Sequence, residues 1–454
     1  MSGPVPVTLS RRADLALDDA ALRSSVRNAT GVMSDGRVTA LGRLDNAEQL
    51  RDSARDARAA TLAQLPHLLT TWADRFEARG GQVCWAQDAT EAVAYVLAVL
   101  DRHGATKVAK GKSMATEEIH LNAALAEAGV DVVETDLGEF IIQLAGETPS
   151  HLIAPAIHKN RYQVADLLSE DAGVDIPPSI EAEVAYARER LRESFLSADV
   201  GITGVNFAVA EAGAICLVEN EGNGRLCTSL PRVHIAVMGL ERVVADWAEL
   251  DVMLSLLARS ATGQDLTVYT NILSGPRAPG EVDGPEEMHV IVLDNGRSEV
   301  VGSEFQEALA CIRCGACLNT CPVYRHIGGH AYGSVYAGPI GAVLTPLLHQ
   351  EDPAARELAE ASSLCGACHD VCPVRIPLHD MLQQLRARDV PQDAPVLRRW
   401  AFRLWSLLWS TRAGYWVSIR LARLVLRLPA PRRAPGWAGA WLATREAPRR
   451  GRSR

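Results

Sequence analysis

The chain has 454 residues, of which 48% are hydrophobic and 22% charged, and its net charge is −9. Such values belong to an ordinary globular protein of about two or three domains, not to a disordered or fibrous chain. The N-terminal stretch MSGPVPVTLSRRADLALDDA has no apolar h-region, and no uncharged apolar run of about twenty residues occurs, so neither a signal peptide nor a transmembrane helix is expected.

Residues 1–45 are mixed and polar and read as an N-terminal arm with short helices. Between 46 and 79, Leu62, Leu65, Leu68, Leu69, Trp72 and Phe76 recur at helical spacing. This predicts a helical pair, with Pro66 as a break or first-turn residue. Strands are then expected over 81–86 and 106–111, helices over 89–103, 114–129, 160–170 and 178–198, and extended chain over 131–144 and 151–157. Alternation of this kind predicts an α/β domain, here 46–297, with a mainly parallel sheet. From 199 onwards glycines and β-branched residues predict two or three strands with turns at Gly204, Gly213 and Gly222–Gly224. A strand and turn over 231–244, a helix over 245–260 and strands over 266–275 and 288–296 complete the domain.

The segment 298–390 carries the clearest chemistry. Cys311, Cys314, Cys317 and Cys321 followed by Pro322 form C-x2-C-x2-C-x3-C-P, the run with which bacterial-type ferredoxins hold iron–sulfur clusters. Cys365, Cys368 and Cys372 before Pro373 form a shorter partner. Paired C-x2-C units also make zinc sites, but four cysteines in eleven residues closed by Cys-Pro fit zinc poorly. In two-cluster ferredoxins the fourth cysteine of each run ligates the other cluster. On that rule Cys311, Cys314, Cys317 and Cys372 hold one cluster, and Cys321, Cys365 and Cys368 begin the second. The position that would complete the second set is Ser362. That cluster is either a three-iron one, or a four-iron one whose last iron takes Ser362, water, a substrate or a partner's ligand. The remaining Cys84, Cys216 and Cys227 sit in apolar, strand-like contexts and read as buried free thiols.

Other motifs are less specific. Lys112 and Ser113 fall between a strand and a helix, where an open α/β sheet binds anions or substrates; Ser113 could equally be a helix cap. Glu211, Glu219, Glu221, Asn223 and Arg225 flank glycine turns and read either as a ligand rim or as ordinary hairpin chemistry. His158-Lys159-Asn160-Arg161 is a cationic patch before a helix. The glycine-rich 328–341 has no nucleotide fingerprint. It reads as backbone packed near a cluster, with a quinone, flavin or substrate pocket as the sharper alternative.

A helix is expected over 379–389, and a linker leads to a tail, 391–454, with fourteen arginines and only Asp393 and Glu446 as acids. The tail's net charge is therefore +12, which leaves −21 for the rest. Its 397–428 portion, rich in Trp and Arg, reads as a helix or helix pair that docks on a partner or contacts a membrane surface peripherally. This pattern of an acidic body and basic tail argues against a nucleic-acid-binding domain.

Taken together, Gly111–His120, His158–Val164, Gly201–Gly213, Glu219–Arg225, the Cys311–Pro373 arrangement and the intervening GGHAYGSVYAGPIGA resemble the LutB-type lactate-utilisation iron–sulfur proteins. The resemblance implies a LUD α/β domain of the NagB/RpiA/CoA-transferase-like fold, then an α-helical dicluster ferredoxin-like domain. It implies two 4Fe-4S clusters on the seven cysteines named above, with no cysteine at the place of Ser362. It also implies cytoplasmic oxidation of L-lactate to pyruvate in a complex with a cysteine-rich CCG-domain subunit and a second LUD-domain protein.

Overall fold

The computed structural model describes residues 8–388 and 396–425; the start of the expected arm, the linker and the tail beyond 425 lie outside the described residues. Residues 8–388 are described first, and the tail helices by themselves.

The N-terminal segment carries the expected helices, and they pack on the body. Thr8 and Asp19 cap two helices, Leu9–Asp18 and Ala20–Leu41, by accepting from Arg11 N and Leu22 N. The second buries Val26, Thr30 and Ala40, and Arg37 Nη2 donates to Val371 O at 2.9 Å. Short polar stretches with scattered apolar residues looked like an arm because their packing partners lie some three hundred residues away. The expected pair follows as Ala47–Ala63 and Leu65–Glu77, with Pro66 in the first turn of the latter, where its missing N–H costs nothing.

Among the described residues, ten strands make two sheets. Strands β1 (Gln82–Ala86), β2 (Lys107–Lys110), β3 (Asp131–Glu134), β4 (Val200–Gly204), β5 (Phe207–Val209), β6 (Ala214–Glu219), β7 (Val233–Gly239), β8 (Val243–Val244), β9 (Tyr269–Leu273) and β10 (Glu287–Leu293) follow in order. The larger sheet runs β1-β10-β7-β4-β2-β3 and is parallel throughout. Every residue of β7 is buried, as the nearly unbroken apolar run VHIAVMG requires of a central parallel strand. The smaller sheet, β8-β5-β6-β9, is antiparallel except for the β5–β8 pair.

Four expectations change. After β3 the chain turns into a helix, Leu137–Leu144, because Asp136 accepts from Glu139 N and Phe140, Ile141 and Ile142 bury together. Residues 151–157 form turns and no strand. The helix expected over 114–129 breaks at His120, whose φ of 52° interrupts the ladder between Met114–Glu118 and Leu121–Glu127. Beyond β6 lies a helix, Asn223–Ser229, where only a turn was expected; the Glu219 carboxylate caps it by accepting from Gly224 N (2.6 Å) and Arg225 N (2.7 Å).

Residues after β10 form short helices, including Ala316–Thr320, Gly338–Leu348, Ala367–Val371 and Leu378–Arg388. One hydrophobic core runs without interruption from Trp72, Phe207 and Met253 to Leu318, Leu344 and Leu382. The α/β layer and the cysteine-bearing segment are thus packed as one body. Cys216 and Cys227 are buried free thiols as expected, whereas Cys84 is half-buried. In the tail, Val396–Trp409 and Arg412–Val425 form a helix pair. Rings of Trp405 and Trp409 lie 5.4 Å apart, and Arg420 covers Trp416 at 3.4 Å. No described helix is long and apolar enough to cross a membrane.

Arg58 ties the layers together. Its buried guanidinium donates to Val243 O at 2.7 Å, to Glu241 O and to Leu309 O at 3.3 Å. Each carbonyl left unpaired in the interior costs about 1–3 kcal/mol. Replacing Arg58 by Met should therefore destabilise the chain by roughly 2–4 kcal/mol, read as a lowered urea midpoint. A midpoint equal to that of the wild type would refute this role.

Candidate functional site

The two cysteine runs have matching backbones. The residues flanking Cys314 in the first run and Cys365 in the second adopt left-handed angles: Arg313 (61°) and Gly315 (74°), then Leu364 (55°) and Gly366 (82°). Left-handed non-glycine residues cost free energy and persist where surrounding structure demands them. A five-residue helix follows each glycine, Ala316–Thr320 and Ala367–Val371. The match extends to the first position of the runs. Arg313 N points at Cys311 Sγ (3.4 Å), and Leu364 N donates to Ser362 Oγ (3.1 Å). Ser362 therefore occupies in the second run the place of Cys311 in the first.

Folding brings the thiols into two groups. Cys311, Cys314, Cys317 and Cys372 line one small cavity closed by Leu152, Ile340 and Leu378. Cys321, Cys365 and Cys368 act on one another electrostatically and make the second group. Cys365 is exposed; Cys368 and Cys321 are buried. Burial pushes the Cys372 thiol up to about 11 and that of Cys368 up to about 12, and raises Cys314 and Cys317 as well. Bare thiolates are thus disfavoured at both places unless a metal takes up their charge. Main-chain N–H groups point at the sulfurs: Ala316 at Cys314, Ile340 at Cys317, Tyr324 at Cys321 and Ile376 at Cys372. Soft donors in two convergent groups, ringed by amide dipoles, fit iron–sulfur clusters and not hard cations.

Guanidinium groups hold the runs from outside. Arg51 Nη2 donates to Asp370 O (2.6 Å) and Cys372 O (2.9 Å), and Arg242 Nη1 to Cys311 O (2.9 Å). Arg386 Nη2 donates to Ser362 O at 2.6 Å.

A cavity of about 300 Å³ lies on the other side of Leu152 from the first thiol group. Its walls include Lys112 and Ser113 after β2, Glu219 and Glu221 after β6, and Glu241 and Arg242 after β7. The ends of β2 and β7 are carboxyl ends of parallel strands, the usual ligand edge of an α/β sheet, while Glu219 and Glu221 come from the end of β6 in the smaller sheet. Arg313 and Tyr336 supply the remaining wall from the cysteine-bearing segment, and Leu152 lines both this cavity and the thiol site. Ser113 also caps its helix, accepting from Thr116 N at 3.2 Å, which is the capping reading of that residue. Lys112 has no hydrogen bond or ion pair among the described residues. Glu221 accepts from Leu137 N at 3.0 Å, and burial together with Asp136 pushes its carboxyl up to about 7.

One buried ionic network underlies the cavity. Arg297 binds both oxygens of Glu118 (2.8 and 2.7 Å) and Glu241 Oε2 (2.8 Å). Arg313 Nη2 meets Glu241 Oε1 at 3.2 Å and its guanidinium stacks on Tyr336 at 4.4 Å; Tyr336 Oη donates to Glu118 at 2.6 Å. Sequence reasoning missed Glu118, Glu241, Arg242 and Arg297. The available signal was the Gly239-Leu-Glu-Arg turn directly after the most apolar strand. The His158 patch takes no part in this cavity. His158 and Lys159 bind the Glu147 carboxylate at 2.6 and 2.7 Å, Asn160 caps a helix, and His330 packs on the His158 ring at 4.6 Å. Glu211 and Arg225 also stay outside the cavity.

Although burial alone would raise it, the flanking Arg297 and Arg313 guanidinium groups hold the Glu241 carboxyl down to about 2, against an ordinary 4.5. A depressed carboxyl stabilises the fold above its unfolded value and loses that contribution as pH falls through its folded value. The stability gap between wild type and Glu241→Gln should be full at pH 7 and shrink between about pH 4.5 and 2. Denaturation midpoints at several pH values measure it, and a gap that does not shrink would contradict the charge assignment.

Residues 69–293 match the model of the LUD domain, and residues 307–376 that of the 4Fe-4S dicluster domain. Lactate utilization protein B of Oceanobacillus iheyensis is 47% identical over 93% of this chain and 88% of its own length. That of Shouchella clausii is 52% identical over 82% and 78%. An uncharacterized electron transport protein of Escherichia coli K12, YkgF, is 50% identical over the same shares. With a mixed α/β LUD domain, a dicluster domain for two iron–sulfur clusters and relatives matched along most of their length, the chain belongs to the lactate utilization protein B family.

Proposed function

We propose that this protein is the iron–sulfur electron-transfer subunit of a complex that oxidises L-lactate to pyruvate and so permits growth on lactate. The observation that carries the reading is the shared wall: Leu152 lines both the strand-end cavity and the site of the first thiol group. Clusters bound at the two groups supply one-electron acceptance, suited to an oxidation that releases two electrons.

The chain's own residues do the rest. Cys311, Cys314, Cys317 and Cys372 hold one cluster, and Cys321, Cys365 and Cys368 the other; convergence of these thiols supports the assignment. Ser362 stands at the fourth corner of the second site, so that cluster is three-iron or takes a non-cysteine ligand there. Lys112 and Ser113 belong to the substrate or anion site. The exposed Cys365 marks the face toward a redox partner. Partners in this reading are the cysteine-rich CCG-domain subunit and a second LUD-domain protein, in the cytoplasm, with the 397–428 stretch docking on protein or on the membrane surface. The all-parallel sheet with a smaller mixed sheet supports a NagB/RpiA/CoA-transferase-like fold for the LUD domain.

Two measurements test the reading. The complex purified without oxygen should lose its visible cluster absorbance on addition of L-lactate, and deletion of this chain should abolish growth on lactate. Absorbance that never bleaches would sink it. Serine substitutions test the ligand sets: Cys372→Ser should impair the first cluster and Cys321→Ser the second, resolved by paramagnetic resonance. Damage confined to the run that carries the substitution would reverse the assignment.

A further inference from the structure

The buried network beside the cavity is not balanced in charge. Arg242, Arg297 and Arg313 face two carboxylates, Glu118 and Glu241, and so leave one positive charge over. Arg58 beyond them has Glu249 nearby. Arg297 is fully engaged by both acids and Arg313 shares Glu241 with it. The surplus falls on Arg242. It is only 8% exposed and lines the cavity. Among the described residues its one hydrogen bond is to Cys311 O, and no carboxylate lies within ion-pair distance of it. The Phe207 ring lies 5.8 Å away, and Glu241 and Cys311 act on Arg242 through space without a direct ion pair. A desolvated cation with unused donors is destabilising unless an anion meets it. The cavity in front of it is at the small end of the range for ligand sites, about 300–1,000 Å³.

We infer that this cavity binds a small monocarboxylic acid, of the 2-hydroxy or 2-oxo class, with its carboxylate on the planar donor edge of Arg242. A single negative charge matches the one guanidinium of this network that has no carboxylate ion pair among the described residues, and a planar carboxylate matches the donor fork of arginine better than a point charge does. Polar groups farther along the wall, Lys112 and Glu221 among them, offer a donor and an acceptor to a C2 oxygen. Arg313 reaches the cavity from between Cys311 and Cys314, and Leu152 separates it from the thiol site, so a bound acid sits against the first cluster's own loop. The choice of acid rests on the functional reading above; the anion site itself does not.

The test uses the full chain, loaded with its clusters and kept without oxygen. Calorimetric titration with L-lactate and with pyruvate should show binding, weakened at least tenfold in Arg242→Gln and less in Arg242→Lys. The visible cluster spectrum of both variants should stay that of the wild type, which separates loss of a ligand contact from misfolding. Arg225→Ala, outside the cavity, should bind as the wild type does. Inorganic phosphate is the control anion, and its binding in preference to either acid would overturn the assignment. No binding by the wild type would overturn it too, as would Arg242→Gln binding equally well while only the cluster potential moves. That last result would make Arg242 a counter-charge to the cluster. If the chain binds neither acid while lactate still bleaches the complex, the acid binds elsewhere and the functional reading survives. If it binds both but the complex never bleaches, this site stands and the functional reading falls.

Discussion

Buried guanidinium groups bonded to main-chain carbonyls are the interaction on which the rest of this molecule depends. The cysteine-bearing segment is built from helices of about one turn, such as Ala316–Thr320 and Ala367–Val371. Helices this short cannot satisfy their own last carbonyls. Arginines do so, Arg37 at Val371 and Arg51 at Asp370 and Cys372 from the N-terminal helices, and Arg325 of the segment itself at Asn319 (2.6 Å), while Arg242 holds Cys311 O ahead of the first of these helices. Each bond satisfies a backbone group and also sets a positive charge near a thiol that must bind metal as thiolate. Structure and electrostatics are served by the same atoms.

The α/β domain and the cysteine segment consequently share one core and one polar network. Glu241 illustrates the sharing. Its carboxylate joins Arg297, from just beyond the sheet, to Arg313 of the first cysteine run, while its carbonyl accepts from Arg58 of an N-terminal helix. A change at the strand-end cavity is therefore felt, through two residues, in the loop that carries Cys311 and Cys314. Charge inside that network is nearly but not fully compensated, and the cavity opens where compensation stops.

Local pattern made much of this legible in advance. The cysteine spacing and the vacancy at Ser362 were readable because ligand geometry is encoded in adjacent residues; so were the strands, whose apolar runs are continuous where the parallel sheet buries them. Lys112 and Ser113 were readable as a strand-end pair. What escaped depended on distance in sequence. The helix Leu137–Leu144 carries an Asx cap inside a β-branched context, so propensity and capping disagreed and packing decided. The helices over 9–41 looked like an arm because their contacts are with residues such as Asn319, Ala331 and Val371. Arg242 and Arg297 are ordinary surface-type residues in sequence, and only the fold reveals that they are desolvated together.

The Arg51 clamp has a consequence for how the chain is made. Its acceptors, Asp370 and Cys372, lie 319 and 321 residues downstream. At a synthesis rate of about 5–20 residues per second, on the order of 15–60 s pass between the emergence of this arginine and that of its partners. Throughout that interval the N-terminal helices carry a cation destined for burial and nothing to bury it against. The first part of the molecule to be translated is thus among the last to become native, and it reaches that state only when the cysteine segment arrives beside it.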